Sequence, residues 1–294
     1  QTQVSSSSNY LDKTTRVKML PMSIALDPLE KLHLSLLKWT LCVNKYTSNS
    51  AVWGDCGRYP LGVELSKLVF NYHERLEQMV TDQVDCLVRH AMCEQKALQL
   101  SWYASIQTVK STLEADQSHP LRRPSQIRTA MRSWFRERWN CDRVNNRKLT
   151  FYNKIKKEFC EEKYLSLDLS ASRSKAISRL RTSSHKYNVE TGRYGSKRLN
   201  ILHRVCKHCS TEDEECLDSL LQLPFAEPII EDELHILRSC PLYDDLRNKL
   251  FPLTKEYLSS DVETLFQDST TIRDIGRFLS RAHERKFPKN EKTQ

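Results

Sequence analysis

The sequence predicts a mainly α fold, a series of helical segments followed by a small C-terminal module carrying cysteine and histidine. Three observations lead there. Apolar residues recur at alternating steps of three and four over long stretches, the spacing of a single helix face. Glycine is scarce, 6 in 294 residues, which disfavours barrels, sandwiches and phosphate-cradling loops, and neither G-x-G-x-x-G nor G-x4-G-K-[ST] occurs. No strand-rich segment of useful length is present. With 28% charged and 39% hydrophobic residues, the chain reads as two or three thin, surface-rich units.

Residues 1–27 open polar, with serine at positions 5–8, and read as a loosely ordered leader. Asp27 followed by Pro28 is a cap and first-turn pair, and Leu29, Leu32, Leu36, Trp39 and Val43 form one apolar face, expected to pack as core. Residues 47–57 read as a turn-rich connection. Pro60 opens a second helix through Leu65, Leu68, Val69, Tyr72 and Leu76, and a third runs from about Thr81 to Leu113. This helical segment spans 28–116, and residues 117–124, with Pro120 and Pro124, read as a linker. A basic helical segment follows at 125–195, the Cys/His module at 196–250, and terminal helices at 261–266 and 271–285 with a Lys-rich tail within 251–294.

The net charge of +9 conceals two opposite regions. Leu121 to Tyr164 carries 13 basic against 5 acidic side chains, with Trp134, Phe135, Trp139, Phe151, Tyr152 and Phe159 interleaved, and Ser172 to Cys209 carries 10 against the single Glu190. From Ser210 to Asp268 the balance reverses, 15 acidic against 4 basic. A basic surface with aromatic rings suits RNA or DNA, because each cation on a phosphate releases counterions and rings stack on bases. The same composition also fits amphipathic helices with cations on the wet face and rings in the core. The candidate nucleic-acid contacts are Arg173, Lys175, Arg179 and Arg181, on a helix near 174–183, and Arg193, Lys197, Arg198 and Arg204, which lead into Cys206.

Cys206, Cys209, His235 and Cys240 form a C-x2-C-x25-H-x4-C array. Two thiolates one turn apart can hold one side of a tetrahedral ion, and an imidazole and a third thiolate from a distant segment close the other. This points to structural zinc, since four protein ligands leave no position for a reactive water. Leu234, Ile236 and Leu237 predict a helix carrying His235, stopped by Pro241. Five steps on an ideal helix separate side chains by about 140°, so that helix has to end near Cys240 for both ligands to meet one ion. His203, His208 and Cys216 are alternative ligands.

Ten cysteines without a secretory leader fit a reducing compartment, nuclear or cytoplasmic, and not secretion. Cys42, Cys86, Cys93, Cys141 and Cys160 read as plain buried thiols. The longest apolar stretch, from Leu32 to Val43, is broken by His33 and Lys38 and falls short of the roughly 20 residues that span a bilayer, so no membrane is expected. A start on Gln1 reads as a piece of a longer frame. Neither G-x-S-x-G nor H-E-x-x-H occurs, so no catalysis and no small-molecule substrate are expected. Tyr243-Asp244-Asp245 follows a helix stop and lacks the spacing of the polymerase carboxylate box; both aspartates read as first-turn carboxylates.

Three stretches resemble the region downstream of the polymerase domain in non-LTR retrotransposon endonuclease and reverse transcriptase proteins. They are LHLSLLKWTLCVNKYTSNSAVWGDCGRYPL from Leu32 to Leu61, the basic RLRTSSHKYNVETGRY string within Tyr164 to Tyr194, and RVCKHC with EDELHILRSCPLYDDLR from Arg204 to Arg247. The resemblance covers about 28–250. It implies that Cys206, Cys209, His235 and Cys240 bind zinc, that the flanking basic residues meet element RNA or target DNA, and that an upstream polymerase domain is a partner. The chain departs from that pattern in its acidic insertion, Ser210 to Asp232, and carries neither nuclease nor polymerase portion. It is therefore expected to bind and not to catalyse. The alternatives are a protein-interaction module supporting the polymerase domain and an inactive remnant.

Overall fold

The computed structural model describes residues 23–82, 86–115, 124–194, 198–210, 228–250 and 262–288. The leader up to residue 22, most of the linker, Lys197, Cys216 and the tail beyond residue 288 lie outside these. The described chain is mainly helical, and its extended pairing consists of two isolated antiparallel bridges, Cys56 with Glu161 and Val205 with Ile230. No helix among the described residues is long and apolar enough to cross a membrane. The chain divides into two compact units assembled from discontinuous pieces, residues 1–32 with 59–135 and residues 33–58 with 136–294, where the sequence reading laid segments end to end.

Helix α1 covers Ser23–Thr40, with Pro28 inside it. Its buried side is not the predicted one. Leu34, Leu37 and Leu41 face the core, whereas Leu29, Leu32, Leu36 and Trp39 are exposed, Trp39 by 77%. Both stripes have helical spacing, and the polar stripe of Lys31, Ser35 and Lys38 runs between them, so it does not break the tie. Residues 47–57 are not a connection but hold α2, Asn49–Cys56, which is buried almost all round and so shows no amphipathic period. It ends on Gly57, left-handed at φ 58°, whose N–H bonds to Gly54.

The first unit is built on α3 (Leu61–Thr81), α4 (Leu87–Ala97), α5 (Ser101–Ala115) and the start of α6 (Pro124–Val144). The long third helix of the sequence reading is two helices, because Gln99 turns left-handed between them. Val63, Ser66, Phe70, His73 and Leu76 line the inner face of α3. Leu76 meets Met92 and Tyr103, and the His73 ring lies 5.9 Å from both Trp102 and Tyr103. Two arginines of α6 close on α3, with Arg132 Nη2 2.7 Å from a Glu64 oxygen and Arg128 on the other.

The second unit holds α7 (Thr150–Ile155), α8 (Lys163–Ser166), α9 (Ala171–Arg181), α10 (Asn188–Thr191), α11 (Glu233–Arg238), α12 (Asp244–Leu250) and α13 (Ser269–Lys286). Ile177 and Leu180 of α9 share one core with Ile272, Ile275, Phe278 and Leu279 of α13. The two helices approach closely at Gly276, where an added Cβ would stand 3.2 Å from both Arg173 Cβ and Ile177 Cδ1. Residues 264–266 form a 3-10 turn in place of the expected helix at 261–266. The lone cysteines are also less enclosed than expected: Cys42, Cys141 and Cys160 are exposed, and Cys86 and Cys93 half-buried. Cys42 sits in a left-handed turn after α1, and Cys141 on the outer face of α6.

Candidate metal centre and basic surface

The module begins where backbone bonds from Cys206 N to Ile229 O (2.8 Å) and from Glu231 N to Arg204 O (2.9 Å) join its two halves. A tight turn follows, in which Cys209 N and Ser210 N both donate to Cys206 O, at 3.0 and 2.9 Å. That turn sets the first two thiols side by side. The second half is α11, capped by Asp232, whose side chain accepts from His235 N at 2.7 Å. The helix stops at Arg238. Ser239 N and Cys240 N both bond to His235 O, and Pro241 forbids another turn, so Cys240 swings onto the side of His235 as the spacing requires.

The ligand atoms of Cys206, Cys209, His235 and Cys240 all lie within 4.8 Å of one another, close enough for one ion to touch all four. Cys206 and Cys240 sulfurs are 3.9 Å apart, Cys209 and Cys240 sulfurs 3.9 Å, and His235 Nε2 is 3.4 Å from Cys209 Sγ. Among the described residues no other such Cys, His and carboxylate group is found. His203 and His208 point elsewhere and are exposed. The site can hold a metal ion.

Its surroundings favour that role. With Nε2 facing the sulfurs, His235 Nδ1 stands 3.1 Å from Ser239 Oγ, an outer partner that fixes the ring. Burial opposes ionisation of Cys206, but hydrogen bonds from His235 and from the backbone N–H groups of His208 and Cys209 outweigh it and bring the thiol down to about 6. Burial and the neighbouring thiols push Cys209 up and Cys240 up to about 12. Burial and mutual proximity oppose joint ionisation of the three thiols; a bound cation would reverse that preference and favour the thiolates.

Arg247 went unnoticed in the sequence. Buried at 4% exposure, it donates Nη1 to Ile236 O at 3.0 Å and Nη2 to Cys240 O, while pairing with Asp244 at 2.6 Å. It pins the end of α11 to the last ligand and lowers the charge burden on Cys209. Its only sequence signal is its place two turns beyond Pro241. Asp244 and Asp245 do open α12, as first-turn carboxylates, and Asp245 pairs with Arg285 at 2.7 Å.

The eight basic candidates separate into distinct groups. Lys175 and Arg198 are exposed; Arg173, Arg179 and Arg193 are half-buried, Arg179 donating Nε to Cys42 O at 3.0 Å and Arg193 pairing with Glu190 at 3.0 Å. Arg181 and Arg204 are corrected from surface to interior. Arg181 is fully enclosed between Asp55 and Glu162, and Arg204 donates to Leu199 O (2.8 Å) and Val189 O (2.9 Å) against Gly192. Buried guanidinium groups held by several acceptors are structural. Lys186 and Lys207, both exposed, enlarge the surface set. Of the interleaved rings, Phe135, Trp139, Phe151 and Tyr152 are buried, and Trp134 and Phe159 half-buried.

No protein-family model, curated protein or solved structure matches this chain.

Proposed function

We propose that the chain is a non-catalytic, nucleic-acid-binding segment from downstream of the polymerase domain of a non-LTR retrotransposon reverse transcriptase, clipped together by structural zinc. One observation carries the reading: the four side chains singled out by spacing converge within 4.8 Å. A tetrahedral zinc site with Zn–S near 2.3 Å and Zn–N near 2.0–2.1 Å has edges of about 3.8 Å between sulfurs and about 3.6 Å from sulfur to nitrogen. The 3.9 Å and 3.4 Å separations found here match those edges. Three thiolates on a divalent ion leave a net negative charge, and the buried Arg247 stands ready to balance it.

Support for nucleic acid comes from the cations of the same unit. Lys175, Lys186, Arg198 and Lys207 are exposed, and Arg173 and Arg179 half-exposed beside them. Binding to RNA and DNA followed across a salt series tests this. Affinity is expected to fall steeply and linearly in log salt, with the slope reduced when Lys175, Lys186 and Arg198 become alanine. Binding indifferent to salt, or none at low salt, refutes it.

A protein-interaction role, docking against the polymerase domain, is favoured by the exposed Leu29, Leu32, Leu36 and Trp39 of α1. If neutralising the basic set leaves nucleic-acid binding intact, or if no binding exists to disturb, this second reading gains.

A further inference from the structure

We infer that the groove between the C-terminal half of α6 and the loop following α7 receives an unpaired base of a single-stranded nucleic acid. The inference rests on the nucleic-acid reading above and specifies which form is bound and where. The groove is open to solvent, about 420 Å³, with Arg136, Trp139 and Asn140 on one side and Lys157 and Phe159 on the other. That size lies within the roughly 300–1,000 Å³ of small-ligand sites.

Its aromatic wall is built and held. Trp139 is fixed in place: Nε1 donates to Ser50 O at 2.7 Å, and the Arg143 guanidinium lies 5.0 Å over its ring. Phe159 stands edge-on to Trp139, with centroids 5.2 Å apart and planes at 74°, and is half-buried, so its ring is positioned without being consumed by the core. A half-exposed, locked ring is what stacking on a base needs. Arg136 and Lys157 are exposed at the two rims, where phosphates flanking a stacked base would lie. Lys157 Nζ uses one donor on Asn153 O at 2.9 Å and keeps two.

Polar groups between them read a base edge. The Asn140 amide oxygen accepts from Arg143 at 2.7 Å, which orients its NH2 as the available donor. Glu137 and Glu158, also in the lining, offer acceptors to exocyclic amino groups. These two carboxylates cancel the two cations, so the groove by itself does not attract a polyanion. Attraction comes from exposed cations of the same unit, such as Arg147 and Lys154, and the groove selects. A paired and stacked base hides its faces and its Watson–Crick edge, so the ligand is single-stranded.

The test measures fluorescence anisotropy of a short labelled oligouridine strand and of a duplex of equal length on the whole chain. The wild type is expected to bind the single strand more tightly. Phe159→Ala is expected to weaken single-strand binding roughly tenfold, the order of one lost stack, and leave duplex binding unchanged, with Phe159→Tyr restoring it. A second measurement needs no variant: a 4-thiouridine strand crosslinked to the unmodified protein should label the peptide containing Lys157 and Phe159. A folded Phe159→Ala chain that binds like wild type, or crosslinks confined to other peptides, overturns the groove while leaving salt-dependent binding intact. Absence of any binding at low salt overturns both readings.

Discussion

Arg181 and Asp55 form a fully buried ion pair, Nε to Oδ2 and Nη2 to Oδ1 both at 3.1 Å, across 126 residues of sequence. Tyr164 Oη donates to the same carboxylate at 3.0 Å, and Glu162 adds a second acid 2.9 Å from Arg181. Burial alone would discourage the charge on Arg181; Asp55 and Glu162 outweigh it and hold the guanidinium protonated. Removing one partner strands the others. Arg181→Met is expected to cost about 3–5 kcal/mol in urea unfolding, whereas Lys175→Ala stays within about 0.5 kcal/mol. Equal, small effects would show that Arg181 is not a structural keystone.

Metal content follows from the ligand geometry. Gently purified chain is expected to carry a single zinc ion, and Cys206→Ser and His235→Ala chains to carry none. A chelator is expected to lower the melting temperature of the wild type and leave those variants unmoved. Zinc-free wild type would end the assignment.

Glu64 gives the first unit an acid-sensitive clasp. Burial raises its pKa, but hydrogen bonds from Arg128 and Arg132 outweigh that and hold the carboxyl below the usual carboxylate range. A depressed folded value means that the contribution is complete above the unfolded value near 4.3 and is lost as pH falls through the folded one. Glu64→Gln is therefore expected to lose stability at neutral pH and to show a flatter stability profile below about pH 4, read by urea unfolding at a series of pH values. Parallel profiles would remove the clasp.

His283 reports on the basic surface. Burial lowers its pKa first, and Arg179, Lys186 and Lys175 add to that, with Glu284 opposing. Arg179, His185, Lys186 and His283 line one small recess between α9, the loop after it and α13. The folded chain thus binds fewer protons than the unfolded one below about pH 6.5, so this group costs stability as pH falls there. A phosphate on those cations reverses their effect on the ring. The His283 pKa is expected to rise on oligonucleotide addition and in Lys186→Ala, and binding to tighten as pH drops below neutrality. An NMR titration of the ring protons checks this, and an unmoved midpoint in both cases contradicts it.

Gly57 is tied to its conformation. At φ 58°, a Cβ would also stand 2.3 Å from Glu161 N and 2.8 Å from Cys160 C, both backbone atoms that cannot rotate away. Gly57→Ala is expected to cost more than about 1 kcal/mol, seen as a lower unfolding midpoint; a neutral result would place the 160–161 segment elsewhere.

The clustering of the four Cys and His side chains was legible because such residues at fixed spacing carry their chemistry with them, and because Pro241 dictated where α11 must end. Helix existence was legible too. What failed was direction and depth. The apolar stripe through Leu29 and Trp39 and the one through Leu34 and Leu41 look alike in sequence, and only a partner surface decides between them. Helix α2 was invisible because burial on every side erases the period that marks a helix. Charge counting placed Arg181 and Arg204 outside, since nothing local announces that Asp55 waits 126 residues away for the one or that backbone carbonyls will enclose the other. Arg247 escaped although its partners Asp244 and Cys240 are close in sequence, because a backbone carbonyl as acceptor leaves no mark on the sequence.

Helix α13 shares one core with Cys206, Cys240 and Tyr243, its Phe278 ring 6.1 Å from Tyr243. Synthesis runs from the N-terminus, so the four ligands leave the ribosome before the helix that backs them. The four side chains that could hold a metal ion are thus in place while the wall behind them is still being made. A premature stop codon between residues 250 and 269 would therefore yield a protein with all four of these side chains present and no α13 behind them, intact by motif and defective by fold.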